Sequence, residues 1–448
     1  MADLTTGARR SGAGSDGQLP LTVAINAQID PQRAGGVESA LKSLIAALAD
    51  RQGDERFLLL ATARFHEMLA RQAGPSYRVH TWPYPQKALS AVRRLTSRWQ
   101  RWQRQAGPLG VGVDALHRVW WEVRRVTASK PDPRKADTLL ARMGASVVHF
   151  AYPTRFPTTV PYLYEPWDLQ HRHHPEFFTP AEWQARDQMY RQGCEGAALV
   201  VTANRWTKRD IVEQYGIASE KIAVIPRGPA STPHAPHDTE IARVRQEYAL
   251  PERFAFYPAM SFPHKNHLRL FEALAILRDR HGIVLPLVCT GRPYEPHWPA
   301  VQDGIARFGL EGQVRLLGPV SDDVLAAIFR SAAFLVFPSL FEGLGLPLLE
   351  ALEHQLPVLA SDATCIPEVA GDAALYFDGT STESIVAALL ANERDPERLT
   401  TTLTAAPAVL DRFAWPRAAA TFVACYRAVA GAPLSPEQRA LYDEAIQA

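Results

Sequence analysis

Several features that would direct the reading elsewhere are missing or scarce. Only four of the 448 residues are cysteines (Cys194, Cys289, Cys365 and Cys425), widely spaced and without a C-x-x-C pair. That argues against a disulfide scaffold or a thiolate zinc site and fits reduced thiols. No apolar run reaches the roughly 18 residues that a membrane span requires. Excess charge of one sign is also lacking: 48 Lys and Arg face 47 Asp and Glu, so no whole-chain field calls for nucleic acid. The first twenty residues, MADLTTGARRSGAGSDGQLP, hold no apolar core and read as a disordered tail rather than a signal peptide. Their G-x-G-x-x-G (Gly12, Gly14, Gly17) precedes the first strand instead of following one, so it is not a dinucleotide fingerprint.

What is present is alternation. LTVAINAQI (21–29) reads as a buried strand, VESALKSLIAALAD (37–50) as a helix and FLLLATA (57–63) as the next strand. The pattern resumes from 146 with SVVHF, YLY, ALVVT and KIAVIP, with helices expected near 181–193 and 205–214. After PASTPHAPHD (229–238), a second series follows: FAFYP, LPLVCTG, VRLLG, FLVFP, PVLAS and AALYF. Strands alternating with helices predict an α/β fold of two Rossmann-like domains facing each other across a cleft. Ligands in such sheets bind beyond the carboxyl ends of the strands. The predicted division is a tail at 1–20, an acceptor-side domain at 21–230, a linker at 231–250, a donor-binding domain at 251–425 and a helical tail at 426–448 that packs back on the first domain.

The densest chemistry lies in FPSLFEGLGLPLLEALEHQLPVLASD (337–362). Its pattern is strand, loop, helix. Gly343 and Gly345 permit a tight turn close to a ligand, Leu346 closes the loop, and Pro347 suits a first helical position. The free N–H groups of the helix start form an anion site suited to a diphosphate. Glu342 and Glu350 would repel phosphates but accept hydrogen bonds from hydroxyls, one on a sugar ring and the other on a ribose. In YPAMSFPHKNH (257–267), Lys265 is placed to neutralise a diphosphate and a departing leaving group. Arg227, in IPRGP, reads equally as a second phosphate cation or as an exposed linker residue. In YEPWDLQHRHHPEFF (164–178), Trp167, Asp168 and His171 are acceptor-side candidates. His173 and His174 lie beside them, but no ligand spacing supports a metal. Gly35-Gly36 follows the first strand and offers close backbone approach to the cleft.

The stretch around Glu342 and Glu350 resembles glycosyltransferase family 4, retaining enzymes of the GT-B fold, through its E-G-x-G-x-P-x-x-E-A setting and the continuation CIPEVAGDAALYFD (365–378). The P-H-K-N-H string and the D-L-Q-H of 168–171 resemble one subgroup, in which a His stands where this chain has Trp167. The resemblance implies that Glu342 contacts the transferred sugar, Glu350 the ribose and Lys265 the donor phosphates. It further implies a metal-independent transfer with retention, no cofactor, and catalytic roles for Glu342 and Lys265. Asp168 is the third catalytic candidate because Asp168 or His171 stands to take over the contact of the His that Trp167 replaces, unless the acceptor pocket differs. The donor-side set is Gly36, Lys265, Glu342, Gly343, Gly345, Leu346 and Glu350, with Arg227 as the candidate to replace an arginine that many members of the family carry where this chain has Ala259 and Met260.

The expected reaction moves a sugar from a nucleoside-diphosphate sugar to a hydroxyl of a saccharide or lipid-linked saccharide, in cytoplasmic assembly of a surface polysaccharide such as lipopolysaccharide. The alternatives are a sugar-nucleotide epimerase and a catalytically inactive nucleotide-sugar-binding protein. The segment 86–135 carries twelve Lys and Arg against three Asp and Glu, with Trp99, Trp102, Trp120 and Trp121. It reads either as a solvated helical hairpin or as a peripheral contact with anionic lipid at the inner face of a membrane. No nucleic-acid motif accompanies it.

Overall fold

The computed structural model describes residues 20–28, 36–51, 53–62, 66, 77–82, 133–229 and 236–448. The expected tail before Pro20, nearly all of the basic segment 86–135, Gly35 and the start of the linker (231–235) lie outside the described residues.

Two parallel sheets organise the chain. The first holds β1 (Thr22–Ala27), β2 (Arg56–Ala61), β3 (Tyr77–Thr81), β4 (Val147–Phe150), β5 (Tyr162–Tyr164), β6 (Leu199–Thr202) and β7 (Ile222–Val224), in the order β3-β2-β1-β4-β5-β6-β7. The second holds β8 (Ala255–Pro258), β9 (Leu287–Thr290), β10 (Val314–Leu316), β11 (Phe334–Phe337), β12 (Val358–Ser361) and β13 (Ala374–Phe377), in the order β10-β9-β8-β11-β12-β13. Most central strands are buried along their whole length, β1, β4 and β11 among them, as expected where helices cover both faces of a parallel sheet. β3 has no counterpart in the sequence reading. It is an edge strand whose Arg78 and His80 break the apolar run, and only Tyr77 is fully buried.

Two boundaries differ from those read off the sequence. Residues 231–250 read as linker, but Asp238–Glu247 is a helix whose Val244 is buried in the second domain's core. The Pro- and His-rich composition ends at His237, where the Glu240 carboxylate turns back to accept the His237 backbone N–H. The expected boundary at 425/426 falls inside one continuous helix, Trp415–Val429. Its stripe of Trp415, Ala418, Ala419, Phe422, Val423 and Tyr426 repeats at helical spacing and packs with Val23, Ile25 and Phe57 of the first domain. The crossing back therefore occurs near Phe413. The helix Pro436–Gln447 follows it onto the same domain, where Lys208 Nζ donates to the Ile446 carbonyl at 2.6 Å.

Candidate functional site

The loops at the carboxyl ends of β5, β6, β8, β11 and β12 meet where the two sheets face each other. On the second domain, the loop after β11 carries Phe341, Glu342, Gly343 and Gly345 into the helix Leu346–Glu353. Gly345 has φ +75°, a left-handed conformation that favours glycine. Pro347 is the second helical residue rather than the first, and its missing N–H still removes no helical bond.

The loop is fastened at several points. Thr364 Oγ1 and Cys365 Sγ both donate to the Glu342 carbonyl at 3.2 Å. The Leu340 N–H donates to the His264 carbonyl at 2.8 Å. Asn266, at φ +60°, donates through Nδ2 to the Pro338 and Gly379 carbonyls at 3.0 and 2.8 Å. The Tyr257 hydroxyl donates to the Lys265 carbonyl at 2.7 Å. Lys265 itself lies in the single turn Pro263–Lys265, just ahead of the helix His267–His281.

These anchors bring two predicted residues together. Lys265 Nζ lies 2.5 Å from Glu342 Oε1, with both side chains mostly buried. The pair unites β8 and β11 at the mouth of the cleft. Glu350 is one turn into its helix and half-buried, and its carboxylate has no hydrogen-bond partner among the described residues. Burial, with the negative charges of Glu353 and Asp322 adding to it, pushes its carboxyl up to about 7.

On the first domain, Trp167 has φ +70° and directs its indole N–H to the Ala151 carbonyl at 2.9 Å, so that donor is already engaged. Asp168 follows, accepting the Gln170 N–H at 3.0 Å. Burial raises the Asp168 carboxyl above the usual carboxylate range, opposed by that N–H and by the positive charges of Arg186 and Lys265. The two domains touch here. A Cβ added to Gly343 would lie 2.6 Å from the Trp167 carbonyl oxygen and 3.1 Å from Asp168 Cβ. Gly36 is the first residue of the helix Gly36–Ala49, the next described residue after the end of β1 and its neighbour Gln28.

Two predicted residues are corrected. Arg227 is neither exposed nor free: it is 4% accessible, ion-paired with buried Glu165, and stacked over the Trp167 ring at 4.9 Å. Its charge is matched inside the first domain by Glu165, so it is not the exposed linker residue that one reading of IPRGP gives. His171 is fully buried, 3.1 Å from the Tyr215 hydroxyl and packed against Tyr190, so it cannot reach an acceptor. His173 and His174 turn to different carboxylates, Asp210 at 2.7 Å and Glu176 at 3.0 Å. Among the described residues, no three His, Cys, Asp or Glu side chains gather to hold a metal.

Other residues at the cleft escape a reading of the sequence. Arg186 sits on the helix Pro180–Gly196, 4.9 Å over the Phe178 ring and 3.3 Å from the Tyr190 hydroxyl. The Asp168 carboxylate acts on it electrostatically. His264 stacks on Phe262, and burial holds its imidazole well below the ordinary range. Arg186 has no local motif to mark it, whereas His264 is the first His of the P-H-K-N-H string and is passed over beside Lys265.

Two stretches of the chain match family models: residues 104–229 match Glycosyltransferase Family 4, and residues 251–399 match Glycosyl transferases group 1. Among curated relatives, O-antigen chain mannosyltransferase B of Escherichia coli is 30% identical over 242 residues, covering 50% of this chain and 60% of that protein. O-antigen chain mannosyltransferase RfbU of Salmonella typhimurium is 26% identical over 200 residues, covering 45% and 52%. The matched stretches thus span about half the length of these relatives. Among solved structures, Anabaena Alr3699/HepE in complex with UDP and glucose superposes with a TM-score of 0.64 at 17% identity, covering 91% of this chain and 100% of that one. WaaG, a glycosyltransferase involved in lipopolysaccharide biosynthesis, does so with 0.60 at 15% identity, covering 91% and 100%. The fold is GT-B. Together with the family-model matches and the mannosyltransferase relatives, it supports a GT-B glycosyltransferase.

Proposed function

We propose that this protein transfers a sugar, with retention and without a metal, from a nucleoside-diphosphate sugar to a hydroxyl of a saccharide or lipid-linked saccharide during surface-polysaccharide assembly. The observation that carries the reading is the Lys265–Glu342 pair at the cleft mouth, beside a glycine turn and a helix N-terminus. A cation, backbone N–H groups and a hydrogen-bond acceptor then lie within one site, matching the diphosphate and the hydroxyls of one donor. The mannosyltransferase relatives favour a mannose-like donor sugar and an O-antigen-like acceptor.

In this reading the diphosphate lies over the backbone of Gly343, Gly345 and Leu346. It draws Lys265 from Glu342, which turns its carboxylate to the sugar hydroxyls. Glu350 accepts from the ribose. As the glycosidic bond to the diphosphate breaks, Lys265 neutralises the charge that builds on the departing oxygen. The acceptor hydroxyl attacks from the same face, and its proton passes to that departing phosphate oxygen. Asp168, held against the Gly343 turn, orients the acceptor, and Trp167 supplies a wall, since its N–H is engaged elsewhere. Catalysis is then mainly positioning and charge stabilisation. The enzyme would work at the cytoplasmic side, with residues 86–135 touching the inner membrane face. Among the described residues no helix is long and apolar enough to cross a membrane.

Mass spectrometry of reactions with a panel of sugar nucleotides and saccharide acceptors tests this. The expected result is an acceptor heavier by one sugar, with release of the nucleoside diphosphate. Conversion of the sugar nucleotide without acceptor would favour an epimerase, and binding without turnover an inactive receptor.

A further inference from the structure

The helix Arg205–Tyr215 starts on the first domain, directly after β6, and its first turn is completed largely by the other domain. A helix leaves its first N–H groups without intrahelical partners. Here Asn204 Oδ1 accepts from the Thr207 N–H at 2.8 Å, an ordinary N-cap. The Arg205 and Trp206 N–H groups instead donate to the two oxygens of Glu368, at 2.7 and 2.8 Å. Glu368 belongs to the helix Ile366–Ala370 of the second domain. A carboxylate at this position gains charge-assisted hydrogen bonds and a favourable interaction with the helix dipole.

The same Asn204 reaches across the cleft. It is 2% accessible, and its Nδ2 donates to the Gly343 carbonyl at 2.6 Å, in the turn that carries Glu342. Next to this bond, buried Phe341 packs against the rings of His173 and Trp206 of the first domain at 5.2 and 5.5 Å. Where the chain crosses between domains, its two passes are tied as well: Trp415 Nε1 donates to the Pro229 carbonyl at 2.7 Å. The domains are therefore joined at the crossing and again at the mouth of the cleft.

We infer that Glu368 and Asn204 form an interdomain clasp, and that they are positioning residues which hold the Glu342 turn in register with Asp168. Both Glu368 oxygens bond the other domain, so removing them leaves the second domain's own packing in place. Glu368 is only half-buried, so water can replace its partners when the cleft opens. That makes the clasp reversible. Closing it sets the separation between the donor turn and the acceptor side, on which transfer depends steeply. The catalytic consequence rests on the proposed transfer; the clasp itself does not.

The test compares full-length wild type, Glu368→Ala, the near-isosteric Glu368→Gln and Asn204→Ala. It combines small-angle X-ray scattering without ligand, thermal melting, donor affinity, and kcat with KM. Glu368→Ala is expected to melt as a folded protein and to scatter as a more open particle. It should keep its nucleoside-diphosphate affinity but lose roughly ten- to a hundredfold in kcat. Glu368→Gln should lie between it and wild type. Scattering from Glu368→Ala that matches wild type, with the protein folded, overturns the clasp. If Glu368→Ala fails to fold, the same comparison is decided on Glu368→Gln. Opened scattering, with no transfer by wild type to any acceptor, supports the clasp and counts against the transfer reading alone.

Discussion

Glu342 and Glu350 lie close in the chain, but their surroundings divide their roles. Glu342 is 9% accessible and pairs with Lys265, whereas Glu350 has no hydrogen-bond partner among the described residues, and its burial near Glu353 and Asp322 raises its carboxyl to about 7. A ribose hydroxyl donates better to the ionised form, so nucleoside-diphosphate affinity should rise as pH increases from about 6 to about 8, in the window set by that value of about 7. Titration calorimetry at several pH values checks this, and Glu350→Gln should flatten the dependence. The linked effect on stability has the opposite sign. The folded state holds this proton more tightly than the unfolded chain does, so Glu350 subtracts stability as pH rises from its ordinary 4.5 to about 7. Glu353, also raised to about 7 by burial, acts in the same direction.

Gly343 permits a second test at this scale. Its Cβ would meet the Trp167 carbonyl oxygen of the other domain, a backbone atom that cannot swing aside. Gly343→Ala should therefore leave each domain's core intact but lower kcat by roughly tenfold or more, with donor affinity retained. Steady-state kinetics and calorimetry together check it. The glutamates, Lys265 and the glycine turn were legible because they occupy one short stretch each, with a motif around them. Arg186, Asn204 and Glu368 were not, since their partners come from distant loops. His171 misled for the same reason: a histidine in a cleft-facing string gives no sign of which way its ring points, and this one is buried against Tyr190 and Tyr215.

At the scale of elements, the final long helix does more than cover the first sheet. The Tyr426 hydroxyl on the helix Trp415–Val429 lies 2.8 Å from His149 Nδ1, and His149 Nε2 lies 2.8 Å from Glu165 Oε1. Glu165 pairs with Arg227, whose guanidinium covers Trp167. This chain of buried polar groups connects the crossing helix to the acceptor-side loop. Removing Arg227 leaves the buried Glu165 carboxylate without its cationic partner. Arg227→Ala should destabilise the fold by about 3–5 kcal/mol, measured by denaturant unfolding. A loss below about 1 kcal/mol, the range of an exposed pair, would contradict this account.

The central strands were readable from the sequence because apolar runs flanked by turn residues have few other solutions. The edge strand β3 was not, because an edge tolerates Arg78 and His80. The sequence reading divides the helix Trp415–Val429, placing its start in the donor-binding domain and its end in a helical tail that packs back on the first domain, since an apolar stripe does not say which sheet it will cover.

At the scale of the whole molecule, two parallel sheets place the ends of β5, β6, β8, β11 and β12 around one cleft, and the GT-B arrangement follows from that placement. The two-domain layout was legible from the two series of alternating strands and helices. The manner in which the domains meet was not, because the Asn204–Gly343 bond and the Glu368 bonds to the start of the helix Arg205–Tyr215 join residues far apart in the chain.

The most direct measurement is sugar transfer by wild type and Glu342→Ala, followed by mass spectrometry with sugar nucleotides and saccharide acceptors. The account predicts transfer by wild type and a loss of roughly a hundredfold or more in the variant, with the protein still folded, as for other groups that stabilise the transition state. Normal turnover by Glu342→Ala would contradict it.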